Sequence, residues 1–456
     1  MPVAQHVMRH AAERPSRPAV CGPQGELTYA QFAERIHGAA RHLLGRGIGP
    51  GEPVAIGLAD PVELLTAVLA ADLAGAAPLV GDPAWGRERW SSVAAGLGFH
   101  VDAPLPGAAG PAVRHDPRPG DRAWACFSSG STGRPRAVVR TRASWTESFP
   151  HLGELAGIGP DDVVLIPGPL VSSLYAFAAV HTLATGATAL LPGRRPFRAL
   201  PGLLARATVV HLVPHQLPDV LEHPGALRVA VVGGAALDPE TRAAAVRAGV
   251  RVVSYYGATE LSFVAVDADG GGLRPFPGVE IEVRPAGPPG GGLGEVWARS
   301  PWLAEGYLGD AAGPLRRDAD GWASVGDVAE PYRVGEVLRV RGRGDGAIQT
   351  GGATVVPEDV EEVLRKVPGV GDIVVIGSPH PSLGAVVTAV IEAECATPPP
   401  PRALLEATAR GGLDEAQRPR RWYAVPSLPR TQTGKPARAQ VAARLAGGDP
   451  DIRRLI

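Results

Sequence analysis

Short apolar runs alternating with helical stretches predict an α/β chain: a large N-terminal domain of parallel-sheet α/β layers with a small β-rich subdomain, and a small mobile C-terminal α+β domain. Three observations carry that prediction. The runs Val54 to Leu58, Asp162 to Ile166, Thr208 to Leu212 and Val229 to Val232 have the length and apolarity of buried parallel strands, and helical patterns follow them. From Gly278 to Pro301 the texture changes to short alternating segments around the turn Gly287-Pro288-Pro289-Gly290-Gly291-Gly292. Beyond the glycine-rich, charged junction Arg341-Gly342-Arg343-Gly344-Asp345-Gly346, one further set of helices and strands follows. The expected boundaries are 1–340 for the N-terminal domain, with 278–340 as its β-rich part, 341–345 for a hinge and 346–456 for the C-terminal domain.

In chain order, Phe32, Ile36, Ala40 and Leu43 recur at helical spacing behind Thr28, an expected N-cap. Asp60-Pro61 caps and starts a second helix running through Ala71, and Ala77 to Val80 reads as a short strand. Ala123 to Phe127 is an apolar strand that runs into a glycine- and hydroxyl-rich turn. Leu174 to Leu191 lacks formal charge but contains His181 and Gly186, and reads as a buried helix leading into a strand rather than a membrane span. His211 and His215 straddle Pro214, so they do not share a helical face as a metal pair would. In the tail, a helix from Glu358 to Lys366, strands at Ile373 to Ile376 and Val386 to Ile391, and a last helix near Ala439 to Leu445 are expected, with Pro398 to Pro401 as a stiff loop.

Composition narrows the function. A chain of 456 residues exceeds one compact domain, and a net charge of −1 leaves no basic footprint for nucleic acid or anionic membrane. Cys21, Cys126 and Cys395 are far apart and odd in number, which argues against a disulfide framework and a cysteine zinc site. The N-terminus shows no basic leader followed by an apolar run, and a cytoplasmic location is expected. Lys366 and Lys435 are the chain's two lysines among its 45 basic residues, which makes each worth attention.

The turn Ser128-Ser129-Gly130-Ser131-Thr132-Gly133-Arg134-Pro135-Arg136 can aim backbone N–H groups and hydroxyls at an anion, and its glycines let the backbone approach closely. Its spacing differs from the Walker pattern, and taken alone a serine- and glycine-rich surface loop is the alternative reading. Five further stretches accompany it in order: Val231 to Ala236, Tyr255-Tyr256-Gly257-Ala258-Thr259-Glu260, Gly321-Trp322 to Gly326-Asp327, Arg341 to Gly352 with Val356-Pro357-Glu358, and Leu428 to Lys435. Together they resemble the adenylate-forming (AMP-binding) superfamily of acyl- and aryl-CoA synthetases, peptide-synthetase adenylation domains and firefly-type luciferases. The resemblance covers nearly the whole chain.

It implies an AMP-forming acyl-CoA synthetase using ATP, Mg²⁺ and coenzyme A. A small-molecule carboxylic acid would become an acyl-adenylate, with release of pyrophosphate, and then a thioester. Two anions must meet in the first step; at ~4 Å and an effective dielectric of ~20 their repulsion is about 4 kcal/mol, roughly three decades of rate. By motif match the cation between them is Lys435, carried by the C-terminal lid domain. Thr259 would bind the α-phosphate and Glu260 the Mg²⁺, with a helix cap as the alternative role for Glu260. Ser128, Ser129, Gly130, Ser131, Thr132 and Gly133 would hold the β- and γ-phosphates, Gly234, Ala235 and Tyr256 the adenine, and Asp327 and Arg343 the ribose. A core tyrosine and a turn aspartate are the alternatives for Tyr256 and Asp327.

Asp345 matches the family's hinge, and Gly351 and Gly352 its pantetheine tunnel. The acid pocket is expected from Val171, Ser172, Ser173, Leu174 and Tyr175 with Gly233 and Phe263. No aspartate occurs from Pro169 to Ala179 to pair with a substrate ammonium, which favours an acyl or aryl acid over an α-amino acid. Three positions depart from the family pattern: Arg136 and Gln349 stand where lysine is usual, and Val325 where a hydroxyl residue is usual. The alternatives are a stand-alone ligase that loads an acyl carrier protein's phosphopantetheine, a nucleotide-binding protein without turnover, and an amide-forming ligase.

Overall fold

The computed structural model describes residues 3–83, 90, 99–128, 136–193, 201–285, 292–309, 313–343, 346, 348–350, 353–381, 384–393, 398–413, 417–431 and 434–456. The chain divides into two compact units. One comprises Met1–Ser128, Pro135–Glu280 and Ala298–Ala323, the other Ser129–Arg134, Ile281–Trp297 and Ser324–Ile456.

The first unit is built on two sheets. In the nine-stranded one, Val163–Leu165, Thr188–Leu190, Val209–Leu212, Val229–Gly233 and Arg251–Ala258 form the parallel part. The expected buried strands near 162–166, 208–212 and 229–232 are present, built mainly of valine, leucine and alanine, whereas Arg251–Ala258 has no counterpart in the sequence reading and is buried at Val252 and Val253. The antiparallel strands Ser262–Asp267 and Arg274–Pro275 finish one edge, and the hairpin of Pro18–Gly22 and Gly25–Thr28 finishes the other. Valines and leucines of the parallel strands pack with Leu204, Leu217, Val220 and Ala245 from the covering helices.

The second sheet runs in the order Gly306–Tyr307, Arg136–Val139, Ala125–Ser128, Ala77–Val80, Pro53–Ile56 and Phe99–Val101. The strands Ala125–Ser128 and Arg136–Val139 pair antiparallel, Ser128 opposite Arg136. The returning strand Arg136–Val139 has no counterpart in the sequence reading.

Helix starts follow the expected chemistry. Thr28 caps Tyr29–Gly45 in a full capping box with Gln31. Asp60 accepts hydrogen bonds from Val62 and Glu63 at the head of Pro61–Leu73. The run from Leu174 resolves into the buried helix Ser173–Thr185, ended by left-handed Gly186, and the strand Thr188–Leu190. Among the described residues, no helix is long and apolar enough to cross a membrane.

In the second unit, the long strands Val370–His380 and Gly384–Ala393 pair antiparallel over their length, with Arg421–Val425 parallel to the latter. Helices Pro357–Arg365 and Arg402–Gly412 contribute Val360, Leu364, Leu405 and Ala409 to a core with Ile373, Val375, Ile391 and Trp422. Val441, from helix Arg438–Ala446, joins a second cluster with Val374, Val390 and Val425. The expected tail elements are therefore all present. The antiparallel strands Asp327–Ala329 and Val340–Arg343 also belong to this unit.

Candidate active site

In the first unit the site residues gather at the C-terminal ends of the parallel strands Val209–Leu212, Val229–Gly233 and Arg251–Ala258, the side on which open α/β sheets bind ligands. Strands Arg251–Ala258 and Ser262–Asp267 form a hairpin whose register shifts between Tyr256 and Gly257, a bulge that re-aims the chain at the turn. A Cβ on Gly257 would lie 2.1 Å from the Ser262 carbonyl oxygen, so only glycine allows this close approach. Ser262 adopts φ 60°, a left-handed conformation uncommon outside glycine. The turn between these two residues carries Thr259 and Glu260.

Glu260 is 3% exposed, and the chain beyond it enters a strand, which removes the helix-cap alternative. Its Oε1 accepts a hydrogen bond from the Tyr307 hydroxyl at 3.0 Å, and its backbone carbonyl accepts one from Ala304 N at 2.8 Å. Tyr307 is held in turn: its hydroxyl accepts from Leu315 N at 3.2 Å, and its strand pairs with Arg136–Val139, Tyr307 opposite Val138. Sequence reasoning missed Tyr307. It lies 47 residues from Glu260 in the chain, and no local pattern joins the two.

The hydroxyls of Thr259 and Ser173 meet at 2.9 Å. Ser173 opens the buried helix, and the preceding Ser172 adopts extended N-cap geometry without a side-chain capping bond. Tyr175 is buried and donates from its hydroxyl to Gln216 Oε1 at 2.9 Å, a second partner with no sequence signal. Its ring fills the place a side chain on Gly168 would occupy, with a ring carbon 1.8 Å from that Cβ position. Tyr255 does the same at Gly233, at 2.3 Å. Burial pushes both phenols above their ordinary range.

Val213 and Leu174 flank Gly234, which is exposed, as is Ala235. Phe263 is 4% exposed and stands behind Tyr255, its centroid 4.7 Å from that ring and 4.9 Å from Phe177. Tyr256 is half-buried on the hairpin, opposite Ala265, so the core-tyrosine alternative does not describe it. His211 is buried in a strand while His215 sits exposed on the following short turn, so the two occupy different elements.

In the second unit Asp327 is buried and lies directly opposite Arg343 across an antiparallel pair. At the unusual Val325 the chain obtains a hydroxyl from one residue earlier: Ser324 Oγ accepts from Gly326 N at 3.1 Å. Gly342 packs so closely on helix Pro357–Arg365 that a Cβ there would lie 2.5 Å from Glu358 Oε2. Lys435 is half-buried at the end of a tight turn in which its carbonyl accepts from Thr431 N at 2.7 Å.

Ser129, Gly130, Ser131, Thr132, Gly133, Asp345, Gly351 and Gly352 lie outside the described residues, as do the side chains of Ser128, Arg136, Arg343 and Gln349.

The donor chemistry suits Mg²⁺, which takes oxygen ligands and is commonly bound by one or two carboxylates together with substrate phosphates. A carboxylate offers about four acceptor positions, and the Tyr307 hydroxyl uses one on Oε1 of Glu260. Among the described residues no group of three or more His, Cys, Asp or Glu side chains could form a dedicated cage.

The AMP-binding enzyme family model matches residues 7–101 and 93–308, and the AMP-binding enzyme C-terminal domain model matches 359–435. An uncharacterized acyl-CoA ligase, YhfT, of Bacillus subtilis is 33% identical over 335 residues, 69% of this chain and 67% of that one. A salicylyl-CoA synthase / salicylate adenylyltransferase of a Streptomyces species is 27% identical over 491 residues, covering 91% of this chain and 89% of its own. In fold, the chain is similar to ATP-bound MatB of Rhodopseudomonas palustris, with a TM-score of 0.85, 24% identity and coverage of 98% and 99% of the two chains.

Proposed function

The chain belongs to the AMP-binding enzyme family, and from that membership we propose that it is an ATP- and Mg²⁺-dependent acid–thiol ligase acting on a compact acyl or aryl carboxylic acid. A carboxylate oxygen attacks the α-phosphorus of ATP. The acyl–O–P bond forms, the bond between the α- and β-phosphates breaks, and pyrophosphate leaves. The sulfur of coenzyme A, its proton released to solvent, then attacks the acyl carbon; the C–S bond forms and AMP departs with the C–O electron pair.

The observation that carries this reading is the contact between Ser173 and Thr259, because it joins the turn bearing Glu260 to the start of the helix expected to line the acid pocket. In this reading Thr259 binds the α-phosphate, Glu260 holds Mg²⁺ with Tyr307 fixing its carboxylate, and Tyr256, Gly234 and Ala235 receive the adenine. The ribose falls to Asp327 and Arg343, the β- and γ-phosphates to the turn from Ser128 to Gly133, and the charge of the meeting anions to Lys435. Bound Mg²⁺ would supply charge neutralisation at the phosphates. Asp345 would be the hinge, with Gly351 and Gly352 facing the pantetheine.

Compactness of the acid is supported by Tyr175 and Tyr255, whose rings occupy the glycine notches at Gly168 and Gly233. The run Pro169 to Ala179 offers no carboxylate for a substrate ammonium, and burying that charge unpaired is costly.

The test is ATP–pyrophosphate exchange across aryl, dicarboxylic, short-chain and long-chain acids, followed by acceptor arms of coenzyme A, a carrier-protein pantetheine and amines. Exchange with compact acids and a coenzyme A thioester is expected. Measurable ATP binding with silence across the acid panel would replace the reading with a nucleotide-binding protein without turnover.

A further inference from the structure

The turn that ends at Lys435 is closed by backbone bonds from Thr431 N to the Lys435 carbonyl (2.7 Å), Gly434 N to the Thr431 carbonyl (3.0 Å) and Ala437 N to the Pro429 carbonyl (2.7 Å). Arg430 and Pro436 form an antiparallel bridge across its neck, and Gly434 takes φ 81°, which glycine adopts without strain. These bonds shape the turn. They do not by themselves fix it to the sheet beneath.

That connection runs through Arg430. Asp372 and Glu392 are direct partners across the antiparallel strands Val370–His380 and Gly384–Ala393, a placement in which like charges repel. Both carboxylates reach the guanidinium of Arg430, and Asp372 Oδ1 also accepts from Arg365 at 3.4 Å. Arg430 Nη1 donates to Asp372 Oδ2 at 2.9 Å, and Nη2 donates to Glu392 Oε1 and Oε2 at 3.2 and 3.1 Å.

The same Nη1 donates to the carbonyl of Gly434 at 3.1 Å, the residue immediately before Lys435. Glu392 Oε2 also accepts from Leu428 N at 2.6 Å, which anchors the entry to the turn. Asp372 is itself oriented, its Oδ1 accepting from Ile373 N at 2.8 Å. A planar guanidinium offers several donors in a fixed fork, so it can satisfy both carboxylates and the turn at once; a lysine ammonium lacks that fork.

We propose that Arg430, seated between Asp372 and Glu392, is the positioning residue that clamps the turn bearing Lys435 for adenylate formation. This rests on the reading of Lys435 given above. Arg430 acts through the Gly434 carbonyl. A displacement of ~1 Å in a catalytic group can cost ~10²-fold in rate, so a loosened turn penalises the half-reaction that uses Lys435.

The experiment pairs two readouts on Arg430→Ala, Arg430→Lys, Asp372→Asn and Glu392→Gln. The first is amide hydrogen exchange across residues 428–437, which needs no substrate. The second is each half-reaction measured separately, with thermal unfolding confirming folded protein.

Faster exchange in this segment is expected for Arg430→Ala. Pyrophosphate exchange should fall by about 10- to 100-fold, while thioester formation from a supplied acyl-adenylate is retained. Arg430→Lys should be intermediate. Adding Arg430→Ala to Lys435→Ala should cost little more, since residues acting as a unit are non-additive.

Unchanged amide exchange, equal losses in both half-reactions, or additive losses with Lys435→Ala would each overturn the clamp. If Arg430→Ala does not fold, the near-isosteric Asp372→Asn and Glu392→Gln decide by the same criteria. A wild-type enzyme silent toward every acid would instead overturn the proposed function, and the clamp would then stand or fall on the amide exchange alone.

Discussion

Glu260, the proposed Mg²⁺ ligand, is a carboxylate held from two sides. It is buried, its carbonyl is held by Ala304, and one carboxylate oxygen is oriented by Tyr307. A hydrogen bond to a charged acceptor contributes ~1.5–3 kcal/mol, about 10- to 100-fold in rate if spent on the reacting geometry. Tyr307→Phe removes that bond and leaves the ring on Gly313. Pyrophosphate exchange in this variant should need a higher Mg²⁺ concentration for half-maximal rate, and an unaltered Mg²⁺ dependence would show that the hydroxyl does not tune a metal site. Glu260 and Thr259 were legible because they stand in a recognisable run beside Tyr256 and Gly257. Tyr307, Gln216 and Arg430 were not, because their meaning comes from partners tens of residues away.

At the scale of elements, the helix Ser173–Thr185 and the strand Val209–Leu212 carry two fully buried histidines. His181 Nε2 is 3.1 Å from the Phe149 carbonyl, and its ring stacks on Phe177. Burial lowers His181 to about 4 and His211 to about 3, both below the ordinary value of 6.5. The unfolded chain therefore binds more protons than the folded one between pH 6.5 and those lower values. The stability that comes from keeping these two rings neutral is fully present above about pH 6.5 and is lost as pH falls toward 3–4, by on the order of a few kcal/mol. Thermal unfolding followed against pH should show the decline, and His211→Phe should flatten it; an unchanged slope would place the acid sensitivity elsewhere. The helix and the strand were both visible in the sequence as apolar runs. The contact of His181 with the Phe149 carbonyl was not, because local periodicity does not say which distant segment covers a face.

For the whole molecule, the chemistry proposed here calls on residues from both compact units, Thr259 and Glu260 in one, Asp327 and Lys435 in the other. If the C-terminal part turns about Asp345 between half-reactions, Lys435 serves only the first. Lys435→Ala should then lower adenylate formation by about 10²- to 10³-fold while sparing thioester formation from supplied acyl-adenylate. Equal loss in both steps would refute that division of labour. The sequence by itself determined the α/β class, the main buried strands and helices and the family, because burial periodicity, capping chemistry and glycine placement act over a few residues. It also placed Thr259 with Glu260, and Lys435, in their motif runs. Only the tertiary structure decided that Ser173 meets Thr259, that Tyr307 holds Glu260, and that Asp372 and Glu392 share Arg430. The physical reason is that hydrogen bonds and close packing between distant segments depend on sheet order and strand register, which no local pattern encodes.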